Sequence, residues 1–135
     1  MRRIIYQSLA APGMDRAELF RLVYHARVAN QARGLSGFLL FSDQRFLQVL
    51  EGRTWKLLAT FDKIRRDVRH CNVEVLDERS IPEATFEAWR MRCFHEDDAA
   101  QAIAAIAQEA QGALPKIVET SLLSFFGVKQ LALEP

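Results

Sequence analysis

Near the start of the chain, Ile4, Ile5 and Tyr6 follow one another with no helical spacing, so residues 2–9 are predicted to form a strand that ends before Pro12-Gly13. Asp15 then opens a helix. Asp15-x-x-Glu18 has the form of a capping box, and Leu19, Leu22, Val23, Ala26 and Asn30 recur down one face. That stripe should meet the core, which puts the polar Asn30 against it at the end of the helix. Gly34 suits the helix C-terminal cap. Strands are predicted over residues 35–41 and 45–51, joined by the polar turn Ser42-Asp43-Gln44. A second helix over residues 54–66 should turn Leu57, Leu58, Phe61 and Ile64 inward. Residues 72–76 and 86–94 read as two further strands, with Pro82 breaking the connection between them.

The order β-α-β-β-α-β with one strand appended predicts an α+β fold, a ferredoxin-like sheet with both helices on one face. The tail differs in composition. Residues 97–111 are Ala-rich with Ile103, Ile106 and Ala110 at helical spacing, and Gly112 stops them. Pro115 opens a second short helix carrying Ile117, Val118, Leu122, Leu123, Phe125 and Phe126. The expected division is a sheet domain over residues 1–96 and a helical extension over residues 97–135. An extension of this size is too small to fold alone, so it should pack on the sheet or on another chain.

Composition narrows the partners. Of 135 residues, 50% are hydrophobic and 26% charged, as in an ordinary globular domain, and 18 basic against 17 acidic residues leave a net charge of +1. Such a balance lacks the basic excess that tracks phosphate backbones, so nucleic acid is not an expected partner. Two cysteines, Cys71 and Cys93, are too few for a disulfide scaffold. No signal-like start and no tract of membrane-spanning length is evident, so the expected setting is cytoplasmic, with no membrane partner.

Three polar side chains fall where an ordinary core would be apolar. Strand alternation turns Gln48 the same way as Phe46 and Leu50. A buried amide without partners costs about 1–3 kcal/mol, so Gln48 must find some. Tyr6 and Asn30 pose the same question. The first and third strands are central neighbours in a ferredoxin-like sheet, so Tyr6 and Gln48 could lie side by side with Asn30 overhead. Two readings of the residues stay open: a structural network satisfied by backbone groups, or a slot for a flat heterocycle with a polar edge. No nucleophile–base pair accompanies the three, and no phosphate loop, nucleophile elbow or metalloprotease helix is present. His70-Cys71 and Cys93-x-His95 supply two His and two Cys, but their spacing matches no compact zinc module, and no metal site is expected. The run Lys63-Ile64-Arg65-Arg66-Asp67-Val68-Arg69-His70 reads as a solvated helix end that could also collect a phosphate.

At these same residues the chain resembles the BLUF family of flavin-dependent blue-light sensors. The likeness runs over about residues 2–95. It is carried by Ile5-Tyr6-Gln7-Ser8, by Asn30 with Leu35-Ser36-Gly37-Phe38-Leu39-Leu40, and by Phe46-Leu47-Gln48-Val49-Leu50-Glu51-Gly52. Further pieces are the stretch from Ile64 to Val73 and Phe86-Glu87-Ala88-Trp89-Arg90-Met91. The resemblance implies a ferredoxin-like fold with flavin adenine dinucleotide held between the two helices, flavin mononucleotide and riboflavin remaining possible ligands. It implies that Tyr6 donates an electron to the excited flavin and that Gln48 bridges Tyr6 and the ring. Asn30 would bond the ring's carbonyl edge, Leu22 and Ile64 would clamp its faces, and Asp67, Arg69 and His70 would lie near it. Trp89 and Met91 match the pair whose position relative to Gln48 reports the light state. One departure is visible: Ala26 stands where many members have a serine.

The implied activity is signalling rather than turnover, so the chain is not expected to be an enzyme. Light would rearrange a Tyr–Gln–flavin hydrogen-bond network, and output would pass to a downstream protein partner or a homo-oligomer. The competing expectation is a non-photochemical ferredoxin-like module that binds a ligand or protein and uses the same three residues structurally.

Overall fold

The computed structural model describes residues 1–128; of the expected C-terminal extension, residues 129–135 lie outside the described residues. The elements are β1 (Arg2–Ala10), α1 (Arg16–Arg33), β2 (Ser36–Ser42), β3 (Arg45–Gly52), α2 (Thr54–Arg65), β4 (His70–Ser80), β5 (Arg92–His95), α3 (Ala99–Ala110) and α4 (Lys116–Phe125). They form an α+β fold around one mixed sheet of order β4-β1-β3-β2-β5. The first four strands pair antiparallel in the expected ferredoxin-like order, and the added β5 runs parallel to β2.

Local chemistry explains the joints. Asp15 accepts a hydrogen bond from the Glu18 backbone N–H at 2.8 Å, half of a capping box; the Glu18 carboxylate pairs with Arg21 instead of reaching back. Gly34 ends α1 in the left-handed conformation at φ 69°. Asp43 and Gln44 also take positive φ, 50° and 58°, which gives the two-residue hairpin between β2 and β3 a twist matching its strands.

The sheet is covered on both faces. Ile4, Tyr6, Leu39, Phe46, Leu50 and Met91 share a core with α1 and α2. On the other side Ile5, Phe38, Leu40, Leu47 and Val49 pack against Ile106, Val118, Leu122 and Phe125 of the tail helices. Each such fully buried side chain contributes about 1.5–3 kcal/mol. Double coverage explains why β2 is buried along its whole length and reads as a continuous apolar run.

Two expectations need correction. Leu58 is 42% exposed rather than core-facing; it sits on the outer flank of α2, one residue beyond the buried Leu57. The strand predicted over residues 86–94 exists only as β5, while β4 is longer than the predicted 72–76. The preceding residues cross the sheet edge: Phe86 and Trp89 join the tail-helix core, whereas Met91 and Cys93 join the α1–α2 core. Trp89 therefore does not share a face with Met91 and Cys93.

Candidate functional site

The β1–β3 register sets Tyr6 directly opposite Gln48 at the centre of the sheet. Both side chains point toward α1 and α2 and are at most 5% exposed. The Tyr6 hydroxyl donates to Gln48 Oε1, and Gln48 Nε2 lies 3.5 Å from Met91 Sδ. The carboxamide is thus held at one end by a phenol and at the other by a thioether, a weak acceptor. Burial, and then the negative charge of Asp67, push the Tyr6 pKa far above its ordinary value.

These groups floor a cleft of about 220 Å³ between the two helices. Leu22, Ala26, Ala29 and Asn30 of α1 form one wall, Thr60 and Ile64 of α2 the other, and Tyr6, Leu39, Phe46 and Gln48 the floor. Asn30 is held by its amide nitrogen, which donates to the Arg90 carbonyl at 2.5 Å. Across the helices, Arg33 donates to Thr60 Oγ1 at 3.4 Å.

The opening is polar. His25, Arg33, Lys63, Asp67, Arg69 and His70 line it. Asp67 accepts from both the backbone and the guanidinium of Arg69, at 2.6–3.1 Å. Those bonds hold the carboxyl below the usual carboxylate range, with the charges of Arg69 and His70 adding to the effect. His70 Nε2 faces the Ile64 carbonyl at 2.6 Å and Nδ1 faces Ser8 Oγ at 2.8 Å. A carbonyl only accepts, so Nε2 carries a proton and donates it in a hydrogen bond to Ile64, leaving Nδ1 to bond the Ser8 hydroxyl.

Of the residues singled out from the sequence, Tyr6, Leu22, Asn30, Gln48, Ile64, Asp67, Arg69 and His70 all border this cleft. Met91 reaches its floor through Gln48. Trp89 stays on the opposite face, stacked on Phe86 with ring centroids 5.3 Å apart. His25, Ala29, Arg33 and Thr60 were missed. Their signal was available: Ala29 and Arg33 continue the Leu22–Ala26 stripe at helical spacing, and Thr60 precedes Ile64 by one turn. Lys63 is not only part of a solvated helix end, because it borders the cleft. No cluster of metal-ligating side chains exists among the described residues.

Apolar walls, a floor of neutral hydrogen-bonding groups and a basic mouth suit a planar molecule with a polar edge and an anionic tail. The model of a family described as sensors of blue-light using FAD matches residues 1–92. The chain belongs to that family, BLUF, whose members are flavin-binding blue-light sensors. It is 35% identical over 100 residues to the photoactivated adenylate cyclase subunit alpha of Euglena gracilis, matching 73% of this chain and 10% of that protein. Among solved structures, the photo-activated state of BlsA superposes with a TM-score of 0.71 at 27% identity, covering 93% of this chain and 90% of the other. The manganese and cyclic diGMP complex of Klebsiella pneumoniae BlrP1 gives 0.76 at 28% identity, covering 93% and 32%. The chain thus spans about a tenth of the length of the curated relative from Euglena. No helix among the described residues is long and apolar enough to cross a membrane.

Proposed function

We propose that this chain senses blue light through a switch built from Tyr6 and Gln48 beneath a flavin seated between α1 and α2. The buried Tyr6–Gln48 pair, with Met91 Sδ at the far end of the same amide, carries this reading. Leu22 and Ile64 would hold the ring faces and Asn30 and Gln48 its polar edge, while Asp67, Arg69 and His70 shape the mouth. The basic groups at that mouth, including Arg33 and Lys63, favour a phosphorylated flavin, FAD or flavin mononucleotide, over riboflavin. Chromatography of the flavin released from purified protein checks that choice.

When bound and illuminated, flavin supplies a strong one-electron acceptor. Tyr6 is kept a neutral phenol by its burial; it would give its electron to that acceptor and its hydroxyl proton to Gln48 Oε1, and later regain both. During that interval Gln48 loses the donor that fixed its Oε1. An amide has an acceptor at one end and donors at the other, so rotation or tautomerisation exchanges what it presents without any covalent change. Once Tyr6 is restored, the new arrangement persists because the packed floor resists reversal. No net reaction occurs, which makes the site sensory and not catalytic.

The new amide orientation alters the Gln48–Met91 contact, and Met91 and Trp89 report the state outward from opposite faces of the sheet. We assign flavin binding to residues 1–96 and coupling to residues 97–135, with a downstream protein or a second copy of this chain as receiver. Relatives joined to a cyclase support such a receiver. A cytoplasmic setting fits the two unpaired thiols, Cys71 and Cys93. The test is a dark-minus-light absorption spectrum. The wild type should be yellow and shift reversibly to the red, and Tyr6→Phe and Gln48→Leu should bind flavin without that shift. A full red shift in Gln48→Leu would refute the switch.

A further inference from the structure

The stretch joining β4 to β5 passes from one face of the sheet to the other with little ladder pairing to hold it. Its partners are nevertheless specific. Gly37 N–H donates to the Trp89 carbonyl at 2.8 Å. Arg27 Nε donates to the Met91 carbonyl at 2.9 Å and Asn30 to the Arg90 carbonyl. The start of the stretch is held differently, by a carboxylate. Glu51 Oε1 accepts the backbone N–H groups of Thr85 and Phe86 at 2.7 and 2.9 Å. Its Oε2 accepts from Arg3 Nε at 2.9 Å, and Arg3 Nη2 donates to Thr85 Oγ1 at 3.1 Å.

Glu51 is fully buried and Arg3 is 5% exposed. A buried ion pair adds little net stability over apolar residues of similar size. It does fix geometry, because two backbone donors must converge on one charged oxygen. Glu51 also lies three residues beyond Gln48 on β3, on the opposite face of the sheet. One strand therefore grips the crossing stretch twice, through Glu51 at Thr85–Phe86 and through Gln48 at Met91.

We propose that Arg3 and Glu51 are positioning residues, a latch that holds residues 85–91 in the register that brings Met91 Sδ against Gln48. The latch thereby sets how fast the light state returns to the dark state. This inference rests on the flavin-switch reading above. Loosening the latch leaves Tyr6, Gln48 and the cleft in place but makes the return of Met91 to its seat slower.

The test is a mutant cycle read by thermal recovery after blue light. Glu51→Gln keeps the size and one acceptor oxygen but sets an amide NH2 against Arg3. It should bind flavin, show the red shift and recover about tenfold more slowly. In a Met91→Ala background the same substitution should change recovery by less than about twofold, because the latch acts through Met91. Thr85→Val, at an exposed position, removes only the Arg3 Nη2 acceptor and should slow recovery by about threefold; it decides the matter if Glu51→Gln does not fold. Wild-type recovery in Thr85→Val and in any folded Glu51→Gln would overturn the latch, as would equal effects of Glu51→Gln with and without Met91. Failure of the underlying flavin reading looks different: the wild type itself would show no reversible red shift.

Discussion

Removing the Tyr6 hydroxyl and the Gln48 amide separately and together tests the floor of the cleft in energetic terms. In Tyr6→Phe the ring keeps its packing against Phe61, 5.4 Å between centroids, and against His70 at 6.1 Å. What is lost is one hydrogen bond, about 1 kcal/mol net, plus part of the cost of leaving Gln48 Oε1 buried without a donor. In Gln48→Leu the Tyr6 hydroxyl is stranded instead. It is 3% exposed and has no other hydrogen-bond partner among the described residues, so about 1–3 kcal/mol is expected. The double variant has neither a stranded donor nor a stranded acceptor. Its destabilisation should fall short of the two single costs combined by about 1–2 kcal/mol.

Urea unfolding of the apoprotein measures this cycle without interference from ligand binding. The same four proteins, loaded with flavin, should divide cleanly by spectrum, only the wild type shifting reversibly. Additive destabilisation would mean that the hydroxyl and the amide do not depend on each other for satisfaction, and the paired-floor argument would fail.

Three further outcomes follow from particular groups. A Cβ on Gly37 would lie 2.8 Å from the Val49 carbonyl carbon and 3.2 Å from Leu50 Cα, at φ 150°, so Gly37→Ala should cost about 3 kcal/mol or more; a melting temperature within about 5 °C of wild type would contradict that geometry. In a Tyr24→Phe background the remaining phenol is Tyr6, whose pKa is raised in the folded state. Its neutral form contributes stability that is complete below the unfolded value of about 10 and is lost at higher pH. Tyrosinate absorbance should therefore appear only with unfolding, and its appearance in folded protein at pH 11 would count against burial of the hydroxyl. Asp67 shifts the other way. Its pKa is lowered, chiefly by hydrogen bonds from Arg69, so its contribution is present above the unfolded carboxylate value of about 3.9 and disappears as pH falls through the folded one. Wild type and Asp67→Asn should therefore converge in urea stability as pH drops from about 5 to 2, and a pH-independent gap would remove the ion pair from the account.

Much of this architecture was readable from residue order because local rules and tertiary packing agree. Asp15 and Gly34 cap α1, two positive-φ residues turn the β2–β3 hairpin, and alternation along β3 puts Gln48 on the helix face. Tyr6, Gln48 and Asn30 stood out because each is polar on an apolar stripe. The stretch before β5 was misread for the opposite reason. Phe86, Trp89 and Met91 look like strand residues, but their side chains divide between two cores, and apart from one bond from Gly37 of β2 the side chains of Glu51, Asn30 and Arg27 satisfy the backbone in place of a strand neighbour. A side chain that captures a distant backbone leaves no periodic signature. The mouth of the cleft was only partly visible because Arg33 and Lys63 look like ordinary solvated cations until the two helices are set side by side.

The placement of Trp89 bears on how a change at Gln48 travels. Met91 cannot move far without dragging Arg90 and Trp89, since the peptide chain between them spans only two bonds' worth of residues. Arg90 is fixed on both sides: its carbonyl accepts from Asn30 and its guanidinium donates to the Leu35 carbonyl at 2.9 Å. A shift of Met91 away from Gln48 must therefore either break the Asn30 bond or rotate the chain about it. Either route disturbs the carbonyl of Trp89, which accepts from Gly37, and the indole, which contacts Phe38, Phe86 and Phe94 beneath the tail helices. Phe38 and Phe94 belong to the core that buries Ile106, Val118 and Phe125. On the proposed switch, the tail helices are the elements that would feel a side-chain exchange at Gln48, because the connection is covalent for two residues and close-packed thereafter.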